Sequence, residues 1–420
     1  MTSRPRSTEP APPAHRRGRG LGAVVALDRE TFAEQHWGRA PVLSRASQLP
    51  PPEHGFSAAS VDALLARRAL RTPFLRMAKE GATLDPASYT LGGGVGAAVG
   101  DQVSEDRVLR LFAGGASIVL QGLHRTWPSV VDAAQDLAAD LGHPVQVNAY
   151  VTPPQNRGFD DHYDVHDVFV VQVEGEKHWR VRPPVLDAPL RSQPWTDRRD
   201  AVRGATHAEP VIDAVLRPGD ALYLPRGWLH SASALGGTSI HLTFGVHVWT
   251  VRHLVDDLVR AAGHRLDEDS DARTSLPLGV DALDPATSRD RRAAVRAALE
   301  AALDAVTEDD LSTALASRAR SAQRGEPMGV LAQHDATREG AEPGSWRPRR
   351  HLAHRWEGCN ASLLVTRVGR LEVPAHERAA VDAVLRGDAV ADDLDVRVIR
   401  SLALAGILIP RSQDDGSHQD

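Results

Sequence analysis

Between residues 144 and 249 the chain reads as short apolar, β-branched runs set between tight turns: VQVNAYVTP, DVFVVQV, HWRVRPP, ALYLP and SIHLTFGVHVW. Runs of that kind with few helices between them restrict this part of the fold to a sandwich or a barrel. Glu174-Gly175-Glu176 predicts a hairpin turn, and Arg217-Pro218-Gly219-Asp220 a second one. The flanks differ in kind. From 56 to 142, helical stretches (ASVDALLARRAL, WPSVVDAAQDLAADLG) mix with short strands (TPFLRMA, GASIVLQG), and ETFAEQHWGRAPVL over 30–43 predicts a short helix ending before Pro41. The glycine run over 91–100 predicts a loop, since it lacks the strand-then-helix context of a phosphate loop. Beyond 251 the β signal ends. VRHLVDDLVRAAGH and the alanine-rich 289–321 carry helical periodicity, 323–348 reads as a linker, and the remainder mixes strand and helix with a winged-helix rhythm.

With 420 residues the chain is long enough for two or three domains, and 42% hydrophobic residues suffice for cores. The formal net charge of −6 implies no general affinity for nucleic acid or anionic membrane. Residues 371–420 hold 5 Arg against 10 Asp or Glu, a net of −5, which argues against direct DNA binding by the end of the chain. A single cysteine, Cys359, excludes an intramolecular disulfide and fits a reducing compartment. No apolar run approaches the roughly 18 residues of a membrane span. LGAVVAL over 21–27 is short and runs straight into polar, helix-like sequence, so no signal peptide is expected. A cytoplasmic location with no membrane partner is expected. Residues 1–20, rich in Pro, Arg and Ser, predict a disordered basic arm.

The chemistry concentrates in DHYDVHDVFVVQVEGEKHWRV over 161–181. His162 and Asp164 are two apart, so in an extended segment both leave one face. An imidazole and a carboxylate so placed can share a divalent metal. A third ligand must come from elsewhere, and His230, after the turn and strand of PGDALYLPRGWLHSA, is the candidate. Two histidines and one carboxylate make the facial triad of non-haem Fe(II) oxygenases. On spacing alone an ordinary surface motif stays open, because His-x-Asp is common and the chain has 19 histidines. His166, Asp167 and His178 read as surface or supporting groups. His178 should point away from the Lys177 face.

VQVNAYVTPPQNRGFDDHYDVHDVFVVQVEGEKHWRVRPP closely resembles the core of the JmjC-type cupin oxygenases, in particular the ribosomal oxygenase branch. FAEQHWGRAPVL and GASIVLQGLH resemble earlier elements of that branch, so the resemblance spans residues 28–250. A helical segment followed by a winged-helix-like end is similar to the branch as well. The resemblance implies a mainly β core, the double-stranded β-helix barrel, within a catalytic domain over 21–250. A helical, dimerising segment with its linker would follow over 251–345, then a winged-helix-like domain over 346–412 and a disordered tail over 413–420.

Carried onto this chain, the branch implies iron ligands at His162, Asp164 and His230, and a 2-oxoglutarate anchor fifteen positions after the first, at Lys177. Lys177 and Lys79 are the only lysines among 49 basic residues, so a lysine here is not the chain's default cation. Asn148 would assist the co-substrate, Thr243 would present a hydroxyl to the pocket, and Tyr150 would approach the substrate. Gly245 departs from the branch, where a small hydroxyl residue is expected. The implied activity is hydroxylation of a protein side chain using Fe(II), 2-oxoglutarate and O₂. A histidine or arginine β-carbon of a ribosomal protein would be the target, and lysine at the anchor leans toward histidine. The alternatives are a tailoring hydroxylase of a peptide or amino acid, and a cupin kept as a non-catalytic binding module. A histone-type demethylase shares the chemistry, but nothing here resembles a chromatin reader. The alanine-rich 289–321 would supply apolar area for a homodimer.

Overall fold

The computed structural model describes residues 19–156, 160–281, 283–322, 324–339, 345–357 and 362–411. The expected tail and nearly all of the expected arm lie outside the described residues, as does Cys359. The chain divides into two units, Met1–Val248 and Trp249–Asp420.

The first unit is built on a nine-stranded sheet. Its main strands are β1 (Val42–Ser44), β2 (Leu75–Lys79), β3 (Ser117–Leu120), β4 (Val145–Thr152), β5 (Asp167–Arg182), β6 (Ile212–Leu216), β7 (Ala221–Leu224) and β8 (Leu229–Val246). The order is β1-β7-β5-β8-β4-β3-β2, with β6 pairing the second half of β5, and every pairing is antiparallel. Three helices flank it: α1 (Ala58–Arg67), α2 (Glu105–Ala113) and α3 (Pro128–Leu141). Local chemistry sets the ends of α3, with Pro128 at its first turn and Gly142 (φ 69°) closing it as its backbone N–H donates to Ala138 O.

The apolar run of β5 is buried on both faces. Phe169 and Val171 join the core shared with Phe32, Tyr223 and the flanking helices. Val168 and Val170 point the other way, with Trp179, Val181, Leu222 and Leu224, into the barrel. Alternation along a pleated strand produces this division, and covering on both sides explains why the run is continuous rather than alternating.

The hairpin expected at Glu174-Gly175-Glu176 does not form. β5 continues through it, pairing β7 before the glycine and β6 after it, while β8 follows along both halves with register shifts between Leu235 and His241. Gly175 has φ +65°, and a Cβ there would lie 2.2 Å from Thr238 O. A glycine between polar residues is a turn signal, but it serves equally where a strand bends against a close backbone. The bend lets β5 and β8 each serve both sides of the barrel, giving the double-stranded β-helix.

In the second unit, α4 (Val251–Glu268) packs with α5 (Pro285–Asp304) and α6 (Glu308–Ala322). The helix expected over 289–321 is interrupted, because Thr307 and Asp310 cap a new helix through Thr307 Oγ1 and the Asp310 carboxylate. Buried Asp257 ties α4 to α6, accepting from Arg318 Nε at 3.2 Å while Arg260 bonds its Oδ1 at 2.7 Å. The expected linker contains α7 (Val330–Glu339). Its Gln333 amide donates to Ala403 O and Leu408 O at 2.8 Å each, and Glu326 before it accepts from Arg347 and Arg350. Pro, Gly and Glu made this stretch look loose, but those partners lie some 20 to 75 residues away and could not be read locally. α7 joins the core formed by Trp346, Leu364, α8 (Arg378–Arg386) and α9 (Val396–Leu404). No described helix is long and apolar enough to cross a membrane.

Candidate active site

His162 and His230 are brought together by backbone pairing. His162 N donates to His230 O at 3.2 Å and His230 N to His162 O at 2.9 Å, an isolated bridge that joins the segment before β5 to the start of β8. Asp164 is anchored through its carbonyl, which accepts from Gly227 N at 3.0 Å. One ligand atom from each of His162, Asp164 and His230 falls within 4.8 Å of the others, the one such group among the described residues.

The ring tautomers suit a metal. His162 Nδ1 lies 2.7 Å from Asp160 O and His230 Nδ1 3.0 Å from Trp228 O. A carbonyl only accepts, so each Nδ1 carries a proton and each Nε2 is the nitrogen turned toward the other ligands. Burial, reinforced by His162, pushes His230 down to about 4, so it is neutral at pH 7. For Asp164 burial pulls the carboxyl upward, but His166, His230, His162 and Arg76 outweigh it and hold the group below its ordinary range. Two imidazoles and a carboxylate therefore face one point, a donor set that fits a divalent transition metal and leaves coordination positions open.

The three ligands open onto a cavity of about 350 Å³ that Lys177 also lines. Lys177 is 3% exposed. Its Nζ donates to Thr152 Oγ1 at 3.1 Å and to His241 Nδ1 at 3.5 Å, and among the described residues no carboxylate pairs with it. Burial alone lowers it to about 7. His241 is driven well below its usual value by burial and by Lys177, so it stays neutral and can accept from the ammonium. A buried cation without a counter-charge is costly unless an anion joins it.

Other residues singled out from sequence divide. Tyr150 lines the cavity, stacked on His241 at 5.0 Å, and its hydroxyl accepts from Arg76. Thr243 lines it as well. Asn148, the cross-strand partner of Thr243, is not among the lining residues, and its Oδ1 accepts from Gly122 N at 3.1 Å. Asp167 is fully buried and structural, accepting from the Tyr223 hydroxyl at 2.5 Å and from Arg226. His178 pairs with Asp213 on the face opposite Lys177. At Gly245 a Cβ would meet the His166 ring at 2.6 Å, and that ring stacks on His247 at 5.5 Å. The missing side chain is what admits the imidazole.

Sequence reasoning missed Thr152, His241 and Arg76. His241 was findable, since it lies two positions before Thr243 on the same face of one strand. Nothing local marks Arg76 in TPFLRMA as a cavity residue.

Comparison with known proteins adds to this geometry. Residues 128–254 match the family model described as JmjC domain. Ribosomal oxygenase 1 of Gallus gallus is 32% identical over 265 residues, 61% of this chain and 41% of that protein. A Drosophila persimilis protein, bifunctional lysine-specific demethylase and histidyl-hydroxylase NO66, is 39% identical over 104 residues, 24% of this chain and 14% of that one. The chain thus spans less than half the length of these curated relatives. Among solved structures, the Escherichia coli ribosomal oxygenase YcfD in complex with cobalt and 2-oxoglutarate superposes over 92% of this chain and 99% of that chain, with TM-score 0.53 and 16% identity, a likeness of fold. Together these comparisons show that residues 128–254 match a JmjC domain, that the chain is similar to the ribosomal oxygenases over part of their length, and that it shares a fold with YcfD.

Proposed function

We propose that the protein is an Fe(II)- and 2-oxoglutarate-dependent oxygenase that hydroxylates a protein side chain, a histidine or arginine β-carbon of a ribosomal protein. The observation that carries this reading is Lys177, a buried ammonium with no carboxylate partner among the described residues, in the cavity onto which His162, Asp164 and His230 converge. The names of the relatives, ribosomal oxygenase and histidyl-hydroxylase, support the substrate class.

Each residue has a physical task. His162, Asp164 and His230 hold the metal. Bound there, Fe(II) would supply the oxidising chemistry of a 2-oxoglutarate-dependent hydroxylation. Lys177 offsets the distal carboxylate in a cavity whose other walls include Val168, Val170, Trp179 and Leu224. Thr152 and His241 orient the ammonium, and His241, remaining neutral, does so without adding charge. Arg76 fixes the Tyr150 hydroxyl at the cavity wall, where that hydroxyl can meet the substrate. Thr243 offers a second hydroxyl, and Asn148 steadies the strand carrying Tyr150.

The test is anaerobic reconstitution with Fe(II) and 2-oxoglutarate, then O₂, with mass spectrometry of ribosomal proteins from a deletion strain. Gain of one oxygen atom on one protein, absent with His162→Ala, is expected. Succinate without that gain would move the substrate to a peptide or amino acid. Neither metal binding nor succinate would leave a non-catalytic cupin.

We also propose a homodimer formed by the helical segment of the second unit. Val251, Val255 and Val259 make an exposed stripe on α4, at 76%, 40% and 53% exposure. Unpaired apolar stripes of this kind favour a second copy. Sedimentation giving only a 45.3 kDa species at micromolar concentration would remove the dimer. The single cysteine supports a cytoplasmic location.

A further inference from the structure

A second cavity, of about 500 Å³, lies in the first unit between α1, α2 and the sheet. Val61, Leu65, Val108, Leu109, Phe112 and Ile240 form its apolar surface. Leu109 is 66% exposed. Its lining also holds four carboxylates, Asp62, Glu105, Asp106 and Glu174, and no basic side chain. Glu174 is used locally, accepting from Ala58 N at 2.7 Å. Asp62, Glu105 and Asp106 have no ion pair among the described residues.

The groove is separate from the candidate active site although both are built on the same strands. Thr152 and His241 face the metal-side cavity, whereas their neighbours Val151 and Ile240 face the groove. Strand alternation places the two on opposite faces of the sheet. Acids in the first turn of a helix serve its dipole, which accounts for Glu105 and Asp106 on α2. It accounts neither for Asp62 beyond the first turn of α1 nor for the open apolar floor beside it. The volume is in the range of about 300–1,000 Å³ typical of ligand sites.

We propose that this groove docks an arginine- or lysine-rich peptide segment of a protein partner, with one large apolar side chain seated between α1 and α2 and the flanking cations on the acidic rim. Apolar burial supplies the anchor, and charge complementarity selects the partner and speeds encounter. The docked segment would leave the metal-side cavity open.

The experiment uses the full chain and three short fluorescein-labelled peptides: arginine with leucine, arginine with serine, and glutamate with leucine. Fluorescence anisotropy should show binding of the arginine–leucine peptide, with the other two at least about tenfold weaker. Leu109→Ser should weaken it by about tenfold, and so should the Asp62→Asn/Asp106→Asn pair. All three substitutions are at the surface, and circular dichroism checks that the variants fold. Saturating 2-oxoglutarate should not displace the peptide. Equal binding of the arginine–serine peptide would reduce the effect to net charge and overturn the proposal. Indifference to the variants, displacement by 2-oxoglutarate, or no binding at all would overturn it too. Succinate formation, measured separately, reports on the oxygenase reading and stands or falls independently.

Discussion

His162 and His230 exchange backbone hydrogen bonds, N to O at 3.2 and 2.9 Å, so two of the three metal-facing side chains are held in register by the chain itself. Their rings sit 4.4 Å apart between centroids, each with Nδ1 committed to a carbonyl. Such a site is organised before any metal arrives, and little reorganisation is needed on binding.

Metal binding should therefore stabilise the fold. Anaerobic Co(II) or Fe(II) at a hundredfold excess over its Kd is expected to add about 2.7 kcal/mol to the first unit's stability. Chelator should reverse the gain. His162→Ala and His230→Ala should abolish it, and a metal-dependent melting shift retained in either variant would sink the triad.

Lys177→Met should trade function for stability. Removing a buried ammonium that has no counter-charge among the described residues is expected to raise the melting temperature of the apo protein. The same change should weaken 2-oxoglutarate binding more than about 100-fold, as loss of one partner of a buried pair does. Calorimetric titration and thermal melts read both. Unchanged co-substrate affinity would assign the anchor elsewhere.

Burial lowers Lys177 from 10.5 to about 7, and the sign of the pH effect follows. Below pH 7 the ammonium is already charged and ready for a carboxylate. Above pH 7 the free site is neutral, so binding takes up a proton and affinity should fall by up to about tenfold per pH unit. Isothermal titration at pH 8 in buffers of different ionisation enthalpy should show uptake of close to one proton per 2-oxoglutarate. For stability, the folded value lies below the unfolded one, so the unfolded chain binds the extra proton between about 7 and 10.5. This residue's contribution thus rises with pH across that window and is flat below it.

Gly245→Ala should collide with His166, since the added Cβ would stand 2.6 Å from its ring. A loss of about 1–3 kcal/mol is expected from denaturant unfolding, as for other overpacked sites. In a His166→Ala background the penalty should largely vanish. Equal penalties in both backgrounds would mean that His166 is not what the glycine accommodates.

Much of this molecule was legible in one dimension. The short apolar runs between turns announced a sandwich or a barrel because strand length and turn residues are visible locally, and His162 and Asp164 shared a face because a strand's period is two. The resemblance of the surrounding motifs pointed to His230 and Lys177. Other features needed the folded chain. Residues 174–176 read as a hairpin, yet Gly175 bends one long strand around a close carbonyl, and that bend carries Lys177 into the cavity of Asp164. The expected linker holds α7 because Gln333 and Glu326 find partners remote in sequence. Asn148 turns to Gly122, and Arg76 arrives from a strand with no distinguishing pattern. Sequence determined which residues could do the chemistry, since identity and local period are properties of the chain. Tertiary structure decided which of them meet, and whether Lys177 is a solvated surface charge or a buried cation awaiting an anion, because burial and counter-charge depend on what the rest of the chain brings alongside.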